Sequence, residues 1–391
     1  MSRRILILAH TGRQKAMQTA LQAIELLREA DLTPVMMPHE AAIMHEAIHN
    51  GVLSANGLGV ESIDSKSTLH DIELGMVLGG DGSVLRAAEM VRESGLPLMA
   101  VNLGHVGFLA EAEEADLERA VAAIVNKDYL VEERMAIDVK VLVGKHLVAH
   151  TWALNEASVE KSNRERLLEV VIGVDERPIS SFGCDGVVMS TPTGSTAYAF
   201  SGGGPIVWPE VQAMLMVPLS AHALFARPLV VAPESVISVD VMQRTTENGV
   251  LWCDGRRTVD LPAGARIEAT RSQQPIKLAR LALTPFSERL VRKFDLPTEG
   301  WRGSISEVDR AAIAAREKER QSQENWHQTL AGSQGVRIVE PHHMAPPPEI
   351  GPPVTTPIPV ITKADEEEIV ELPERPAETG NDEERSQTGR R

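Results

Sequence analysis

The stretch Leu74-Gly75-Met76-Val77-Leu78-Gly79-Gly80-Asp81-Gly82-Ser83-Val84 decides the fold. Its apolar first half reads as a buried strand, and from Val84 to Glu93 the apolar residues Leu85, Ala88 and Val91 recur at helical spacing. A glycine turn between the carboxyl end of a strand and the start of a helix is where open α/β sheets bind ligands. Glycines let the backbone approach a phosphate, and the helix N-terminus favours negative charge. The turn is not a Walker A loop, because no Gly-Lys-Ser/Thr closes it, nor is it the G-x-G-x-x-G dinucleotide fingerprint. Asp81 stands where it would repel a phosphate. Either it caps the helix, or it accepts a proton from a hydroxyl while its neighbours hold the phosphate.

Upstream, Ile5–Ala9 reads as a first buried parallel strand, Lys15–Ala30 as an amphipathic helix, Leu32–Met37 as a second strand and His39–Asn50 as a short helix or loop. The apolar run at the start stops at His10-Thr11-Gly12, too short for a signal h-region or a membrane span. Downstream, Leu96–Val101 is another strand, ending in Asn102-Leu103-Gly104-His105, and Glu111–Asn126 reads as an acidic helix. Strand–helix alternation of this kind predicts a parallel sheet with crossover helices. His105 is read as structural rather than as a ligand contact.

From about Tyr129 the period changes to two. Ala136–Val143, Leu147–Ala153, Leu167–Val174, Ile179–Phe182, Gly186–Ser190, Leu229–Ala232, Val236–Met242, Val250–Cys253 and Lys277–Leu283 are expected strands of a mainly-β layer. Within it lies the densest cluster of small hydroxyl residues, Thr191-Pro192-Thr193-Gly194-Ser195-Thr196-Ala197-Tyr198. Exposed hydroxyls and N–H groups there would suit a polyol or a phosphate, whereas a plain Thr/Ser turn would cap a helix. Asn155-Glu156, Cys184-Asp185-Gly186 and Cys253-Asp254-Gly255-Arg256 interrupt the strands, and a turn role is their default reading.

These residues, in this order and spacing, resemble the bacterial members of the NAD kinase family. The matching pieces are Gly79-Gly80-Asp81-Gly82, Asn102-Leu103-Gly104, Asn155-Glu156, Asp185-Gly186, Thr191 to Tyr198 and Gly203-Gly204-Pro205-Ile206. Gly-Gly-Asp-Gly alone is weak, since phosphofructokinases and lipid kinases carry it too; the Thr-Pro-Thr-Gly-Ser-Thr-Ala-Tyr run together with Asn-Glu is specific. The resemblance implies an N-terminal α/β domain (1–130), a β-rich NAD-binding domain (131–285), a segment returning to the first domain (286–303), and a crevice between the domains. It implies transfer of a phosphoryl group from ATP or polyphosphate to the 2′-hydroxyl of the adenosine ribose of NAD, with Mg²⁺ carried on the donor and no dedicated metal site. Asp81 would be the proton acceptor. NAD would be bound by Asp81, Gly82, Arg86, Asn155, Glu156, Arg166, Asp185, Thr196, Ala197, Tyr198, Ala199, Phe200, Ser201 and Arg256. The family also implies a homodimer or homotetramer. Ser83 stands where Thr is usual, Gly202 where Ala is usual, and Gly183 where some members have a basic residue. A lipid or sugar kinase and a non-catalytic NAD-sensing module are the competing readings.

The remaining composition bounds the answer. At 391 residues the chain accommodates two domains. A formal net charge of −16 argues against nucleic acid and anionic membranes as partners. Cys184 and Cys253 are the two cysteines; free thiols and a cytoplasmic location are expected. Ser304-Ile305-Ser306-Glu307 fits a capping box that opens a charged helix, and from Gly332 a Pro-rich, acidic tail reads as disordered.

Overall fold

The computed structural model describes residues 2–63, 66–104, 107–110, 112–163, 166–243, 248–281, 285–297, 315–316, 318 and 337–339. His105, the capping box at 304–307 and the Pro-rich and acidic tail lie outside these residues, apart from 337–339.

The first domain is a sheet with helices on both faces. Its strands run Arg337–Val339, Leu130–Arg134, Ile276–Arg280, Leu98–Asn102, Leu74–Leu78, Arg4–Ala9, Thr33–Met36 and Glu61–Ser62, with Ala112–Glu113 pairing Leu98–Asn102 beside this path. Arg4–Ala9, Leu74–Leu78 and Leu98–Asn102 are parallel neighbours, and all five residues of each of the last two are buried. That double burial is why they read as unbroken apolar runs. The helices α1 (Gln14–Glu29), α2 (Pro38–His49), α3 (Asp81–Val91) and α4 (Leu117–Asn126) supply the crossovers. Ile24 and Leu27 of α1 and Val121 and Ile124 of α4 bury against one face, while Val84, Ala88 and Val91 of α3 bury in the cluster on the other.

The β domain is two six-stranded sheets. One runs Leu229–Val231, Met214–Leu219, Gly186–Ser190, Glu156–Lys161, Gly249–Cys253 and Arg257–Leu261. The other runs Arg177–Cys184, Leu168–Val174, Ile237–Val241, Ala265–Arg271, Ile137–Val143 and His146–Ala153. Val159, Val187 and Met216 of the first meet Val139, Val170 and Val239 of the second in one core, the packing that period-two burial demands. Cys184 and Cys253 are free thiols buried in this core, and burial pushes both up to about 12. Two further helices, α5 (Tyr198–Ser201) and α6 (Phe286–Phe294), complete the regular structure that positions the site.

Several expectations are corrected. Lys277–Leu283 does not extend the β domain: Ile276–Arg280 pairs antiparallel with Leu130–Arg134 and parallel with Leu98–Asn102. The chain therefore leaves the first domain after Arg134 and returns at Ile276, not at 286. An isolated apolar strand carries no sign of which sheet will accept it. The helix expected from Val84 begins at Asp81, and the one expected from Glu111 begins at Leu117. Arg337–Val339 adds a short parallel strand beside Leu130–Arg134.

Candidate functional site

Asp81 is the first residue of α3, and Gly80, in extended conformation, takes the N-cap position that the capping reading gave to Asp81. Its carboxylate instead reaches across to the loop after Leu98–Asn102. Oδ2 accepts the Phe108 N–H at 3.0 Å and Oδ1 the Leu109 N–H at 3.1 Å. The other side of the same loop is pinned by arginine. Arg289 donates to the Phe108 carbonyl at 3.2 Å and Arg280 to the Leu109 carbonyl at 3.3 Å. Arg280 is buried, and Glu132 receives both it (3.0 Å) and Arg134 (2.9 Å). Burial lowers the Arg134 guanidinium to about 10. Glycine at position 107 leaves room for the Asp81 carboxylate, which a Cβ there would strike. These bonds fix the direction of Asp81 before any ligand arrives.

Beside Asp81 opens a cavity of about 360 Å³. Its polar wall is His10, Arg13, Glu40, Ser83, Arg86 and Arg256, together with the backbone of Gly80 and Gly82; Leu8, Ala9, Ala87 and Met90 make an apolar wall. Arg86 pairs with Glu40 at 2.7 Å. Glu40 is buried, and burial raises its pKa against the pull of Arg86. Arg256 grips Glu89 of α3 with two N–H groups, at 3.0 and 3.2 Å.

The β domain contributes the facing wall. Leu154 is fully buried in the same apolar cluster as Val84, Leu85 and Leu109 of the first domain, which sets Asn155 and Glu156 at the domain junction. Glu156 opens the strand Glu156–Lys161 rather than sitting in a turn. The hydroxyl-rich run wraps this corner. Thr191 Oγ1 donates to the Leu154 carbonyl at 2.6 Å, Ser190 Oγ to the Asn155 carbonyl at 3.1 Å, and Ser195 Oγ accepts the Val207 N–H at 3.0 Å. A side chain at Gly194 would strike the Asn155 carbonyl. The hydroxyls of Thr191 and Ser195 are therefore taken up within the protein, and for these two the expectation that they present themselves to a ligand is corrected. The exposed edge of this corner is the next element, α5, whose Tyr198 N–H donates to Glu156 Oε2 at 3.3 Å. Glu156 is buried, and burial, with Asp254 nearby adding repulsion, pushes its carboxyl up to about 8.

The structure thus gathers the expected residues in two groups. Gly82, Arg86 and Arg256 line the cavity beside Asp81. Asn155, Glu156, Thr196, Ala197, Tyr198, Phe200 and Ser201 lie at the corner around α5, with Tyr198 and Phe200 exposed. Ala199 departs from the set: it is fully buried with Val188, Leu215 and Val217, and is core. Asp185 lies five ladder steps from Glu156 along the paired strands, roughly 17 Å away. It is bound to Lys161 at 2.6 Å, a hydrogen bond that lowers its pKa. Arg166 is exposed just before Leu168–Val174. Sequence reasoning missed Arg13, Glu40 and Glu89, which stand outside any motif, and passed over Asp254 as a turn residue.

Helix α6 crosses the junction. Phe294 packs on Phe108 of the first domain at 6.0 Å between centroids and on Phe200 of the β domain at 4.5 Å; Phe286 packs on Phe108 at 5.6 Å and Trp208 at 5.0 Å. The returning segment therefore touches both domains. Among the described residues no helix is long and apolar enough to cross a membrane.

Comparison with known proteins settles the family. Residues 5–129 match the profile described as the ATP-NAD kinase N-terminal domain, and 154–281 that of the ATP-NAD kinase C-terminal domain. A protein of Thermobifida fusca named NAD kinase is 56% identical over 313 residues, covering 79% of this chain and 94% of its own. The chain belongs to the NAD kinase family. An NAD kinase of Leifsonia xyli is also 56% identical, over 77% of this chain and 97% of its own. Among solved structures, yeast NADH kinase complexed with NADH shares the fold with a TM-score of 0.67 at 21% identity, over 76% of this chain and 89% of its own. An Archaeoglobus fulgidus NAD kinase in complex with ATP aligns with a TM-score of 0.53 at 22% identity, over 75% of this chain and 99% of its own. The first match lies within the α/β domain, the second spans most of the β domain together with the returning strand Ile276–Arg280, and the two groups of residues lie at the junction of the α/β and β domains.

Proposed function

We propose that this chain phosphorylates the 2′-hydroxyl of the adenosine ribose of NAD, giving NADP, with Asp81 accepting the hydroxyl proton. The observation that carries the reading is the junction itself. Leu154 buries among the α3 residues and so brings the Asn155–Glu156 corner up to the helix that begins with Asp81. The corner and α5 bind the dinucleotide, and Asp185 meets its far end. The ribose oxygen attacks the terminal phosphorus of the donor, the bridging oxygen leaves with the nucleoside diphosphate, and the proton passes to Asp81. The hydroxyl loses its proton late in such a transfer, so most of the acceleration comes from alignment and charge neutralisation.

The donor occupies the cavity beside Asp81. Its cations, Arg13, Arg86 and Arg256, and its α3 N-terminus suit a row of phosphates, and its apolar wall of Leu8, Ala87 and Met90 suits a base. That mixture favours ATP over a bare polyphosphate chain. Arg86 and Arg256 become donor residues in this reading rather than dinucleotide contacts. Mg²⁺ arriving on the donor supplies charge neutralisation, and Glu40 is the acidic side chain of that wall that would face its water shell. We place the enzyme in a reducing cytoplasm, where its two buried thiols persist, and expect self-association through the β domain, on which Leu224 and Phe225 stand exposed.

Incubation with NAD, Mg²⁺ and either ATP or polyphosphate, followed by an NADP-specific assay, tests the proposal. NADP from ATP is expected. NADP from polyphosphate alone would reject the donor assignment, and phosphorylation of a lipid or sugar in place of NAD would reject the reading.

A further inference from the structure

We propose that Asp254 is a positioning residue for dinucleotide binding, and that Arg257 and Glu89 extend its hold to α3, so that one chain of charges spaces the Asn155–Glu156 corner from Asp81. The inference rests on the kinase reading above.

Asp254 lies between the strands Gly249–Cys253 and Arg257–Leu261, in a left-handed conformation (φ +54°) with Gly255 following at +64°. Successive left-handed residues make the tight hairpin turn that suits twisted strands, and Asp is among the few side chains that tolerate it. A turn Asp ordinarily bonds its own next few residues. This one reaches about a hundred positions back along the chain. Its two oxygens accept the Leu154 N–H, each at 3.0 Å, and Oδ1 accepts the Asn155 N–H at 2.7 Å. Its own N–H donates to the Glu156 carbonyl at 2.9 Å. One residue thereby fixes three consecutive residues of the corner. The Asn155 carbonyl is taken by the Thr191 N–H and Ser190 Oγ. The backbone of Asn155 is therefore committed to the fold, and its side chain is what remains for a ligand.

The hold continues across the junction. Arg257 Nη2 donates to Asp254 Oδ2 at 2.7 Å, its Nε stands 3.1 Å from Glu89 Oε1, and its guanidinium lies 4.4 Å from the Trp152 ring centroid. Glu89 also receives the two-pronged contact from Arg256. Glu89 is on the same helix as Asp81, eight residues or about 12 Å along it. The dinucleotide corner and the proton acceptor thus belong to different domains yet meet through Asp254, Arg257 and Glu89. Only a planar fork can serve two carboxylates while lying on an aromatic face, so lysine cannot replace Arg257.

The test uses the full chain carrying D254N, E89Q or R257K. It measures kcat, KM for NAD, melting temperature and NAD binding by calorimetry. D254N is expected to raise KM and Kd for NAD roughly tenfold or more, the scale of one lost charge-assisted hydrogen bond, with kcat less affected. E89Q and R257K are expected to lower kcat by about five- to a hundredfold, as small misalignments of reacting groups do, with KM for NAD within about twofold of the parent. A folded D254N with parental NAD affinity overturns the corner assignment. E89Q and R257K that change only the melting temperature overturn the spacing assignment, and they decide the matter if D254N does not fold. A parent chain that binds NAD but forms no NADP rejects the kinase reading, while calorimetry of D254N still judges Asp254. A parent that does not bind NAD overturns both.

Discussion

Replacing Glu156 by Gln should remove a pH dependence from the stability of this protein. The carboxyl is held at about 8 instead of the ordinary 4.5, because burial disfavours the charge and Asp254 repels it. Between those values the folded state keeps a proton that the unfolded chain releases. Stability therefore falls as pH rises. The contribution is fully present below about 4.5 and is lost as pH climbs through about 8. Over the two units from pH 6 to pH 8, at about 1.36 kcal/mol per unit, the loss is about 2–3 kcal/mol. Glu156 is nearly fully buried, so solvent screening reduces this little. Glutamine keeps the shape and still offers a carbonyl to the Tyr198 N–H, but it has no proton to lose. Thermal melts of parent and E156Q at matched ionic strength, from pH 6 to pH 9, isolate the effect because every other titrating group is common to both. The parent should lose about 4–8 °C more than the variant across this range. Parallel curves, separated by a constant offset at every pH, would show that Glu156 is ionised at neutral pH and refute the reasoning.

Asp81→Asn should lower the turnover number by roughly 10²–10⁴ while NAD binding, read by calorimetry, stays within a few-fold; near-parental turnover would remove Asp81 from the chemistry. Gly194→Ala drives a methyl group against the Asn155 carbonyl and should cost about 1–3 kcal/mol, with a raised KM for NAD because the corner must shift; a stable variant with parental kinetics would contradict the close approach. Truncation after residue 303 should preserve activity, since every residue assigned to the site precedes it, and should lower the melting temperature slightly by uncovering the edge of Leu130–Arg134; an inactive truncation would give the tail a part in catalysis.

The α/β half was legible because its signals are local. A strand buried on both faces is a continuous apolar run, and Leu74–Leu78 followed by Gly79-Gly80-Asp81-Gly82 announces both the strand and its ligand-bearing end. The β half was legible as a class, from period two, but not as a topology. Ile276–Arg280 has the same character as its neighbours in sequence, and only pairing to Leu98–Asn102 and Leu130–Arg134 reveals that it belongs to the other domain. Glu156–Lys161 and Met214–Leu219 escaped notice for a related reason. The first carries Glu156 and Glu160 within its six residues, and the second includes Pro218; both lower a strand's apparent propensity, and pairing on both edges overrides it.

At the site, the sequence located the motifs and misjudged what some of their atoms do. Thr191 and Ser195 look like ligand hydroxyls because nothing in a linear string shows that Leu154, Asn155 and Val207 come to meet them. Asp254 is the converse case. Cys253-Asp254-Gly255 reads as a turn and is one; the turn places a carboxylate beneath two N–H groups contributed from about a hundred residues away. Asp81 shares this character, since its first partners are the Phe108 and Leu109 N–H groups of another loop. Each carboxylate is anchored by backbone on one side, which uses up binding capacity to fix direction. A proton acceptor held this way needs little reorganisation when the alcohol arrives, and a corner held this way presents Asn155 and Glu156 at a set distance from it. On the proposed reading, the partly buried ion pair of Arg257 and Glu89 adds to the apolar contact of Leu154 against α3 a charge contact between the domains, which helps to hold the Asn155–Glu156 corner at a set distance from Asp81.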